Sequence, residues 1–393
     1  MDREYILKHK NIPVLLFNLN EDFELSYMGE IFDKERLPFG SKYNGNEKAQ
    51  YRQMSDWIEN RGLPRGRSDL VYIQKDLKVR NSKELAFGSF VLNLSDQYWA
   101  HRKDSEMKWE DVNFFDNKFK EVISFDINGV FKENSEILVA PDLTVDGSLR
   151  KKWVLKDDQR YLLKSSRYDE KQEPFNEVIA YKIMKEFGIE CVEYALVRNE
   201  RDNMPLSICR CMVNRDTEFV PAQFVKDMEQ KESRNDYERY IDICEKYGIK
   251  DAKKKLDEMI AIDYIIGNTD RHTGNFGIIR NADTLEWLKT VPIFDNGNSF
   301  CHDINNTSDI KRSQDTVCRW YFGSNYEMLK LIDYPEWYDR SKGQNIKDIV
   351  YDCLKYNENM KEDKRQALTE IAAKRVKEFE KFLNKKDGIK FSL

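Results

Sequence analysis

The sequence is poor in the residues that build metal clusters and disulfide frameworks. It contains four histidines and seven cysteines, and no two cysteines form a C-x-x-C pair. No histidine has zinc-ligand spacing with a cysteine. Cys209 and Cys211 would point to the same face of a strand, which is more typical of a core than of metal ligands. Neither a structural zinc site nor a disulfide framework is expected.

Long apolar runs are also missing. No stretch approaches the ~18 consecutive apolar residues that a membrane helix needs. The first ten residues, MDREYILKHK, lack the apolar run of a signal peptide. We therefore expect no membrane association, and a reduced cytoplasm is the expected compartment.

Neither sign of charge is in large excess. The chain has 65 lysines and arginines against 70 aspartates and glutamates, a formal net charge of -5. Sequence-independent nucleic-acid binding depends on a positive field, so no direct nucleic-acid contact is expected. Hydrophobic residues make up 40% and charged residues 34%, which is typical of a globular protein, and 393 residues suffice for two or three domains.

The first third of the chain gives weak patterns. Residues 12–30 predict two short strands, whereas residues 40–68, rich in Gly, Asn, Arg and Pro, predict a loop. Residues 69–127 mix short apolar pieces and indicate an α+β region without recognisable chemistry.

From about residue 140 the pattern becomes clearer. A helix is predicted between Pro174, placed as in a first helical turn, and Gly188, placed as a C-terminal cap. Short apolar runs on either side of it predict strands at Leu143–Val145, Lys152–Leu155, Arg160–Lys164, Tyr194–Arg198 and Leu206–Val213. Beyond residue 220 the periodicity is mostly helical, most clearly at Asp236–Lys246, Asp251–Ile266 and Lys361–Lys386.

One segment carries a recognisable chemical pattern. Asp270 and Asn275 stand five residues apart, which is the D-x-x-x-x-N spacing of a kinase catalytic loop. A carboxylate in the first position can accept the proton of a substrate hydroxyl, and an amide oxygen in the second can coordinate Mg²⁺.

A hairpin would bring a third residue to this pair. Phe276–Ile279 and Val291–Phe294 are short apolar runs, and antiparallel pairing between them would place Asn275 beside Asp295. Two oxygen ligands for a divalent metal would then lie together. Taken singly, Asp295 fits a surface turn, Asp270 a salt-bridged cap and His272 a structural role; their joint spacing favours a site.

Upstream residues complete the requirements of phosphoryl transfer. Lys164 at the end of a strand can reach nucleotide phosphates, and Glu177 on the following helix can hold it by an ion pair. The turn that contains Gly147, Ser148 and Lys151 would cover the phosphates. As a motif this turn is weak, because it is neither G-x-G-x-x-G nor a Walker loop.

At these residues the chain resembles the HipA-like serine/threonine kinases, the family of the bacterial HipA toxin, whose core is related to phosphatidylinositol kinases. The matching pieces are Thr144-Val-Asp-Gly147 with Lys151, Tyr161-Leu-Leu-Lys164, Asn176-Glu177, Asn268-Thr-Asp-Arg-His272-x-x-Asn275 and Phe294-Asp295. The D-R-H-x-x-N element is the specific one, since it reverses the H-R-D order of ordinary protein kinases.

The resemblance implies an α+β chain with a two-lobed, protein-kinase-like fold, in which a small β-rich N-lobe and a helical C-lobe follow a small α+β N-terminal module. The implied boundaries are 1–135 for the module, 136–216 for the N-lobe and 217–393 for the C-lobe. ATP and Mg²⁺ are the implied ligands. The implied site comprises Asp270 as catalytic base, Lys164, Gly147, Ser148, Lys151, Glu177 and His272 on ATP, Met212 at the hinge that faces adenine, and Asn275 and Asp295 on the metal.

The resemblance also implies regulation and partners. In the toxin, a serine of the phosphate loop is autophosphorylated; the corresponding position here is Thr144, with Ser148 close by. An antitoxin-like partner and a protein substrate of unknown identity are implied. The leading hypothesis is an ATP-dependent serine/threonine protein kinase. A lipid or small-molecule kinase and a pseudokinase that acts as a binding module remain as alternatives.

Overall fold

The computed structural model describes residues 3–39, 46–67, 69–119, 139–145, 147, 149–228, 235–313, 315–333 and 336–390, with side chains up to residue 386. The strands are β1 (Arg3–His9), β2 (Ile12–Leu19), β3 (Leu25–Ile31), β4 (Tyr98–Arg102), β5 (Lys151–Lys156), β6 (Gln159–Lys164), β7 (Tyr194–Arg198), β8 (Pro205–Arg210), β9 (Thr217–Pro221), β10 (Gly277–Asn281) and β11 (Trp287–Thr290). The helices are α1 (Glu47–Glu59), α2 (Leu70–Leu77), α3 (Ser82–Gly88), α4 (Trp109–Val112), α5 (Gln172–Phe187), α6 (Ala222–Lys226), α7 (Asp236–Lys246), α8 (Ala252–Ile266), α9 (Thr307–Arg312), α10 (Asn325–Met328), α11 (Arg340–Gly343), α12 (Ile346–Leu354) and α13 (Glu362–Lys390).

The first sheet has the strand order β3-β2-β1-β4, and its neighbouring strands pair antiparallel. Alternate residues of β1, namely Tyr5, Leu7 and His9, are buried, as expected for a strand with one covered face. The loop predicted over residues 40–68 is wrong, since α1 occupies its middle. Asn46 caps this helix by accepting the Ala49 N–H at 3.1 Å, and the glycines that suggested a loop stand outside it.

The second sheet has the order β5-β6-β8-β7 and is also antiparallel. It confirms the predicted strands except Leu143–Val145, because Pro141–Thr144 form a turn of 3-10 helix instead. A proline at the first position of such a turn supplies the required φ. Helix α5 is confirmed, and Gly188 ends it in the left-handed conformation with φ 70°, where glycine avoids the steric cost of a Cβ.

The third sheet, β11-β10-β9, contains the predicted hairpin with a shifted partner. Strand β10 pairs with β11 rather than with Val291–Phe294. Val291 still donates its N–H to Gly277 at 3.0 Å, but the chain then leaves the hairpin, and Ile293 forms a parallel bridge with Cys191. The run Val291–Phe294, predicted as the second strand of the hairpin, therefore connects the hairpin to Cys191, which lies just before β7 of the second sheet.

The remaining chain is mainly helical and surrounds an apolar core. Helix α8 is almost entirely buried, and α13 packs against α8, α9 and α12. The predicted terminal helix is confirmed, with Ala367, Leu368, Ile371 and Phe379 buried in this core. Within the described ranges, no helix combines the length and apolar character needed to cross a membrane.

The N-terminal module shares buried groups with the rest of the chain. Trp99 and Trp109 belong to one apolar cluster with Leu143 and Trp153. These contacts and the three antiparallel sheets confirm the predicted α+β class; the boundaries after residues 135 and 216 stay predictions.

A buried ionic network lies at the same junction. Glu218 of β9 accepts hydrogen bonds from His9 at 3.0 Å and from Arg280 Nε at 2.5 Å. Arg280 also donates to Tyr98 at 3.1 Å. Burial alone would raise the pKa of Glu218, but the Arg280 guanidinium and His9 outweigh it and lower the pKa to about 2.

Glu218→Gln should lower the free energy of unfolding by about 3–5 kcal/mol, because it leaves the buried Arg280 without a counter-charge. A carboxyl whose pKa is depressed on folding stabilises the fold above its ordinary pKa of 4.5, and that stability is lost as the pH falls towards 2. Chemical denaturation between pH 7 and pH 2.5 should therefore show a shallower loss of stability in the variant.

Asp283→Asn is the matched control. Asp283 lies in the turn between β10 and β11 and pairs with Lys10 at 2.7 Å, but its side chain is 62% exposed. An exposed pair contributes about 0–1 kcal/mol. Equal losses in the two variants would contradict the importance assigned to the buried network.

Candidate active site

A cleft of about 1050 Å³ lies between the β5–β8 sheet and the loop that follows α8. It is lined by nine residues that the sequence singled out: Gly147, Lys151, Lys164, Glu177, Met212, Asp270, His272, Asn275 and Asp295. Residues 53–61 and 93–96 of the N-terminal module line another part of its wall. Ser148 lies outside the described residues, and Thr144 does not line the cleft.

Lys164 is the centre of charge in the cleft. Its Nζ donates to Glu177 Oε1 at 2.8 Å, to Asp295 Oδ1 at 2.6 Å and to the Tyr194 hydroxyl at 3.4 Å. The Lys164 side chain is only 6% exposed. Burial would lower the pKa of Lys164, but the two carboxylates raise it well above its ordinary value, so the side chain stays an ammonium.

Asp295 lies at a sharp bend of the chain. Its φ of +58° is in the left-handed region, which aspartate tolerates better than most residues. The bend lets the next N–H, that of Asn296, donate to Glu177 Oε2 at 2.8 Å. Burial would raise the pKa of Asp295, but Lys164, with Lys151 and Arg271, holds it well below its usual range, so the carboxylate is ionised.

Helix α5 holds the loop that follows Asp295 through hydrogen bonds. Asn176 Nδ2 donates to the carbonyls of Gly297 and Ser299, each at 2.8 Å, and Gln172 donates to the Phe300 carbonyl at 2.9 Å. Asn176 is completely buried. The loop that carries Asp295 is thus fixed by the same helix face that carries Glu177.

The catalytic-type loop starts where α8 ends. Gly267, at φ 63°, caps the helix, and a Cβ there would lie 1.9 Å from Arg375 Nη1, so only glycine fits. Asn268 then accepts the Asp270 N–H at 2.9 Å, and Asn275 Nδ2 donates to the Asp270 carbonyl at 3.2 Å. The ends of the D-x-x-x-x-N segment are therefore bonded to each other.

Arg271 holds this loop from inside the protein. Its guanidinium makes a two-point contact with the Asp263 carboxylate of α8, at 2.9 and 3.0 Å. It also donates to the carbonyls of Asn275 and Phe294, at 3.0 and 2.6 Å, and to Asn296 Oδ1 at 2.7 Å. Both side chains of the ion pair are at most 3% exposed. Arg271 thereby ties the Asn275 loop to the Asp295 loop.

Sequence reasoning missed the role of Asp263. One signal was available, because Asp263 is the only charged residue in the apolar run Met259–Ile266. A lone carboxylate on a buried helix requires a partner. The helical pattern indicated burial but not that the partner stands eight residues further along the chain.

Asp270 presents both carboxylate oxygens to donors from distant segments. Oδ2 accepts from Asn298 Nδ2 at 2.7 Å, and Oδ1 accepts from Arg319 Nη1 at 2.7 Å. Neither partner was predicted, because they stand 28 and 49 residues from Asp270. His272, two residues further on, is exposed, and its Nδ1 accepts the Gly274 N–H at 3.1 Å.

Two oxygen groups could hold a divalent metal. Asn275 uses its amide nitrogen on the Asp270 carbonyl, so its Oδ1 is the atom that can coordinate. Asp295 uses Oδ1 on Lys164, which leaves Oδ2, and its side chain is 31% exposed. Among the described residues no group of three or more His, Cys, Asp or Glu side chains could hold a metal. The donor set fits Mg²⁺, which commonly takes few protein oxygens and fills its shell with phosphate and water.

The phosphate-loop region sits against the N-terminal module. Gly147 has φ +101°, and a Cβ at this position would lie 2.1 Å from Lys151 Nζ, so the lysine side chain crosses the turn. Thr144 is buried, and its hydroxyl donates to the Leu92 carbonyl at 2.5 Å. Asn93 donates back to the Thr144 carbonyl at 2.6 Å. The start of this loop is therefore held by residues 92–93.

The predicted hinge also lies at the cleft. Met212 is half-buried and packs on the cluster of Val192, Tyr194 and Cys209, near Phe294. Cys211 donates its N–H to the Arg160 carbonyl at 2.8 Å, which continues the pairing of β6 and β8 beyond Arg210. Met212 thus follows directly after the end of the sheet.

Comparison with known proteins agrees with this architecture. The model of the HipA-like C-terminal domain family matches residues 143–373, more than half of the chain. The chain belongs to this family. No curated protein sequence matched it.

Solved structures also resemble the chain, among them two bacterial proteins. HipA of Shewanella oneidensis MR-1, from a toxin–antitoxin complex with HipB and operator DNA, superposes with a TM-score of 0.56 at 12% identity. The match covers 97% of this chain and 99% of HipA, so the described residues have the two-lobed, kinase-like fold with its N-terminal module. The Helicobacter pylori proinflammatory kinase CtkA matches at 16% identity and a TM-score of 0.48, over 62% of this chain and 95% of CtkA.

Arg271→Lys should destabilise the protein by about 3–5 kcal/mol. An ammonium cannot reproduce the fork contact with Asp263 and reach both carbonyls as well, so buried acceptors lose their donors. Equilibrium denaturation measures the loss, and hydrogen exchange of the amides of Asn275 and Asn296 should accelerate.

Arg215→Lys serves as the control for this variant. Arg215 also pairs with an aspartate, Asp116, at 3.3 Å, but its side chain is 52% exposed. It should change stability by less than about 0.5 kcal/mol. A loss in Arg271→Lys no larger than in the control would show that the buried contacts do not fix the loop.

Proposed function

We propose that the chain is an ATP-dependent serine/threonine protein kinase of the HipA type. The observation that carries this proposal is the Lys164 ammonium held between Glu177 and Asp295, in the cleft that also exposes Asp270 and Asn275. Membership of the HipA-like family supports a kinase. The protein acceptor and the roles of individual residues belong to the proposal.

The geometry supports an assignment of roles. Lys164 would contact the phosphates of ATP, and Glu177 would orient it by their ion pair. Asp270 would accept the proton of the acceptor hydroxyl. Asn275 Oδ1 and Asp295 Oδ2 would hold Mg²⁺, which would supply positive charge to offset the negative charge that develops on the phosphates. Gly147, Lys151 and His272 line the cleft and would contact ATP, with Met212 beside adenine.

A protein hydroxyl is the proposed acceptor, and its identity is open. A pseudokinase is less consistent with the site, because Lys164, Asp270, Asn275 and Asp295 are all present and line one cleft. The related HipA structure holds HipB and operator DNA. By analogy we propose an antitoxin-like partner for this chain, and through such a partner the chain could come to lie on DNA.

Autophosphorylation is proposed at Thr144 or Ser148. Thr144 is 2% exposed and its hydroxyl donates to Leu92, so the phosphate-loop segment would have to leave residues 92–93 before Thr144 could accept a phosphoryl group. Once phosphorylated, the side chain would be too large and too highly charged to return to this buried position. Such a modification would keep the loop open and stop nucleotide use.

Asp270→Asn should reduce phosphoryl transfer from radiolabelled ATP to the chain itself or to a generic acceptor protein by about 10²–10⁴-fold, since the amide cannot accept the proton. ATP binding, measured by isothermal titration, should stay within a few-fold of wild type. Full transfer by Asp270→Asn would refute its proposed role.

Asp295→Asn should instead abolish the Mg²⁺-dependent increase in ATP affinity.

If Thr144 is the acceptor, the Thr144→Val variant should carry one phosphate fewer than wild type after incubation with Mg-ATP. Intact-mass and peptide mass spectrometry would detect the difference. Valine replaces the hydroxyl with a methyl group of similar size and keeps the site filled. Ser148→Ala is the matched variant for the second candidate. Undiminished phosphorylation in both single variants and in the double variant would exclude the phosphate loop as the modified segment.

A further inference from the structure

Arg319 contacts the proposed base from outside the motif. Its Nη1 lies 2.7 Å from Asp270 Oδ1, while Asn298 occupies Oδ2 at 2.7 Å. The Arg319 side chain is 58% exposed and that of Asp270 is 27% exposed. A guanidinium therefore stands at the solvent-facing side of the carboxylate, where an acceptor hydroxyl would have to arrive.

The segment that carries Arg319 is anchored to the catalytic-type loop. The neighbouring Trp320 packs against Phe276 in a tilted ring contact, with ring centroids 4.8 Å apart. Phe276 directly follows Asn275. Cys318, on the other side, is buried. An exposed arginine is usually mobile, and exposed ion pairs contribute little stability. Here the buried Cys318 and the half-buried Trp320 hold the Arg319 backbone, which places the guanidinium at Asp270.

A second anchor lies at the end of the same segment. Asn325 Nδ2 donates to the Asn268 carbonyl at 2.6 Å and to Thr316 Oγ1 at 2.8 Å. Val317 and Ser324 form a β-bridge that closes the segment into a loop. Arg319 thus sits on a closed loop whose base is bonded to the residue two before Asp270.

The guanidinium keeps hydrogen-bonding capacity for a ligand. An arginine has five N–H donors. Among the described residues, Arg319 has one hydrogen-bond partner, the Asp270 carboxylate, and it contacts this partner through Nη1. Nε and Nη2 can therefore donate to an anion. Arg271 cannot take this role, because it is buried and bound to Asp263.

Geometry limits what that anion can be. An acceptor oxygen bonded to Asp270 would lie about 2.7 Å from the carboxylate, the same distance as the Arg319 nitrogen. The phosphoryl group that this oxygen attacks would then come within reach of the free donors. Lys164, another cation of the proposed site, pairs with Asp295 and Glu177 and not with Asp270.

On this basis we propose that Arg319 is a catalytic residue that binds the transferring phosphoryl group from the acceptor side. The inference rests on the proposed kinase function. A cation placed where charge accumulates in the transition state stabilises it more than the ground state, as an arginine does in other phosphoryl transfers. The contact with Asp270 holds the guanidinium beside the proposed base.

The test compares wild type, Arg319→Ala and Arg319→Lys as full-length chains. Arg319→Ala should lower kcat for phosphoryl transfer by about 10²–10³-fold, and lysine should restore part of it, because it keeps the charge without the fork. Binding gives a second readout. Titration with ATP and with ADP should show that the alanine variant loses part of the preference for ATP, while its affinity for ADP stays unchanged.

Lys311→Ala is the control variant. Lys311 is an exposed cation that precedes Arg319 in the sequence. It pairs with Glu370 at 3.2 Å and not with Asp270. Its kcat and its ATP-to-ADP preference should match wild type, and all variants should share one melting temperature within about 2 °C.

Three results for Arg319→Ala would overturn the inference. The first is a wild-type kcat, and the second is a raised kcat, which would make the arginine a blocking group. The third is an unchanged preference for ATP over ADP. Wild type that binds ATP but transfers no phosphoryl group would refute the proposed function instead. The binding comparison would then still decide whether Arg319 contacts the terminal phosphate.

Discussion

The buried guanidinium of Arg271 is the point at which the separate parts of the site meet. It neutralises Asp263 on α8, and its remaining donors bind carbonyls on the Asn275 loop and the Asp295 loop. Two loops from different parts of the sequence are thereby fixed relative to one helix. Because a buried charge without a partner is strongly unfavourable, each member of this set constrains the others. The positions of the two proposed metal ligands depend on a residue that would itself touch neither metal nor nucleotide.

The N-terminal module takes part in the same architecture. Its Trp99 and Trp109 share a core with Trp153 of the β5–β8 sheet, and residues 92–93 hold the backbone and hydroxyl of Thr144. A partner that moved this module would therefore act directly on the start of the proposed phosphate loop. This arrangement gives a physical route by which binding far from Asp270 could change nucleotide access, because coupling needs a contiguous set of packed groups.

The sequence predicted which residues line the cleft better than it predicted the contacts that these residues make. The spacing of Asp270 and Asn275 and the pairing of Lys164 with Glu177 are local patterns, and the structure brings all four residues to one cleft. The hairpin was predicted with the wrong second strand. Within the run Val291–Phe294, Ile293 bridges Cys191, and the apolar side chains of Val291 and Phe294 pack in a cluster with Val213 and Ile279. Long-range partners such as Arg319 leave no periodic signal, because an exposed arginine in a loop looks the same whether or not it meets a carboxylate.

Three aspartates of this region each pair with a different cation, and the three pairs differ in burial. Asp263 and Arg271 are almost fully buried, so their pair is permanent and structural. Asp295 is partly exposed beside the buried Lys164, which leaves one oxygen for a ligand. Asp270 and Arg319 are the most exposed pair, and water screens and competes with their attraction. A ligand of the proposed site could therefore displace Arg319 from Asp270 at little cost, while the Asp263–Arg271 pair keeps the two loops in place.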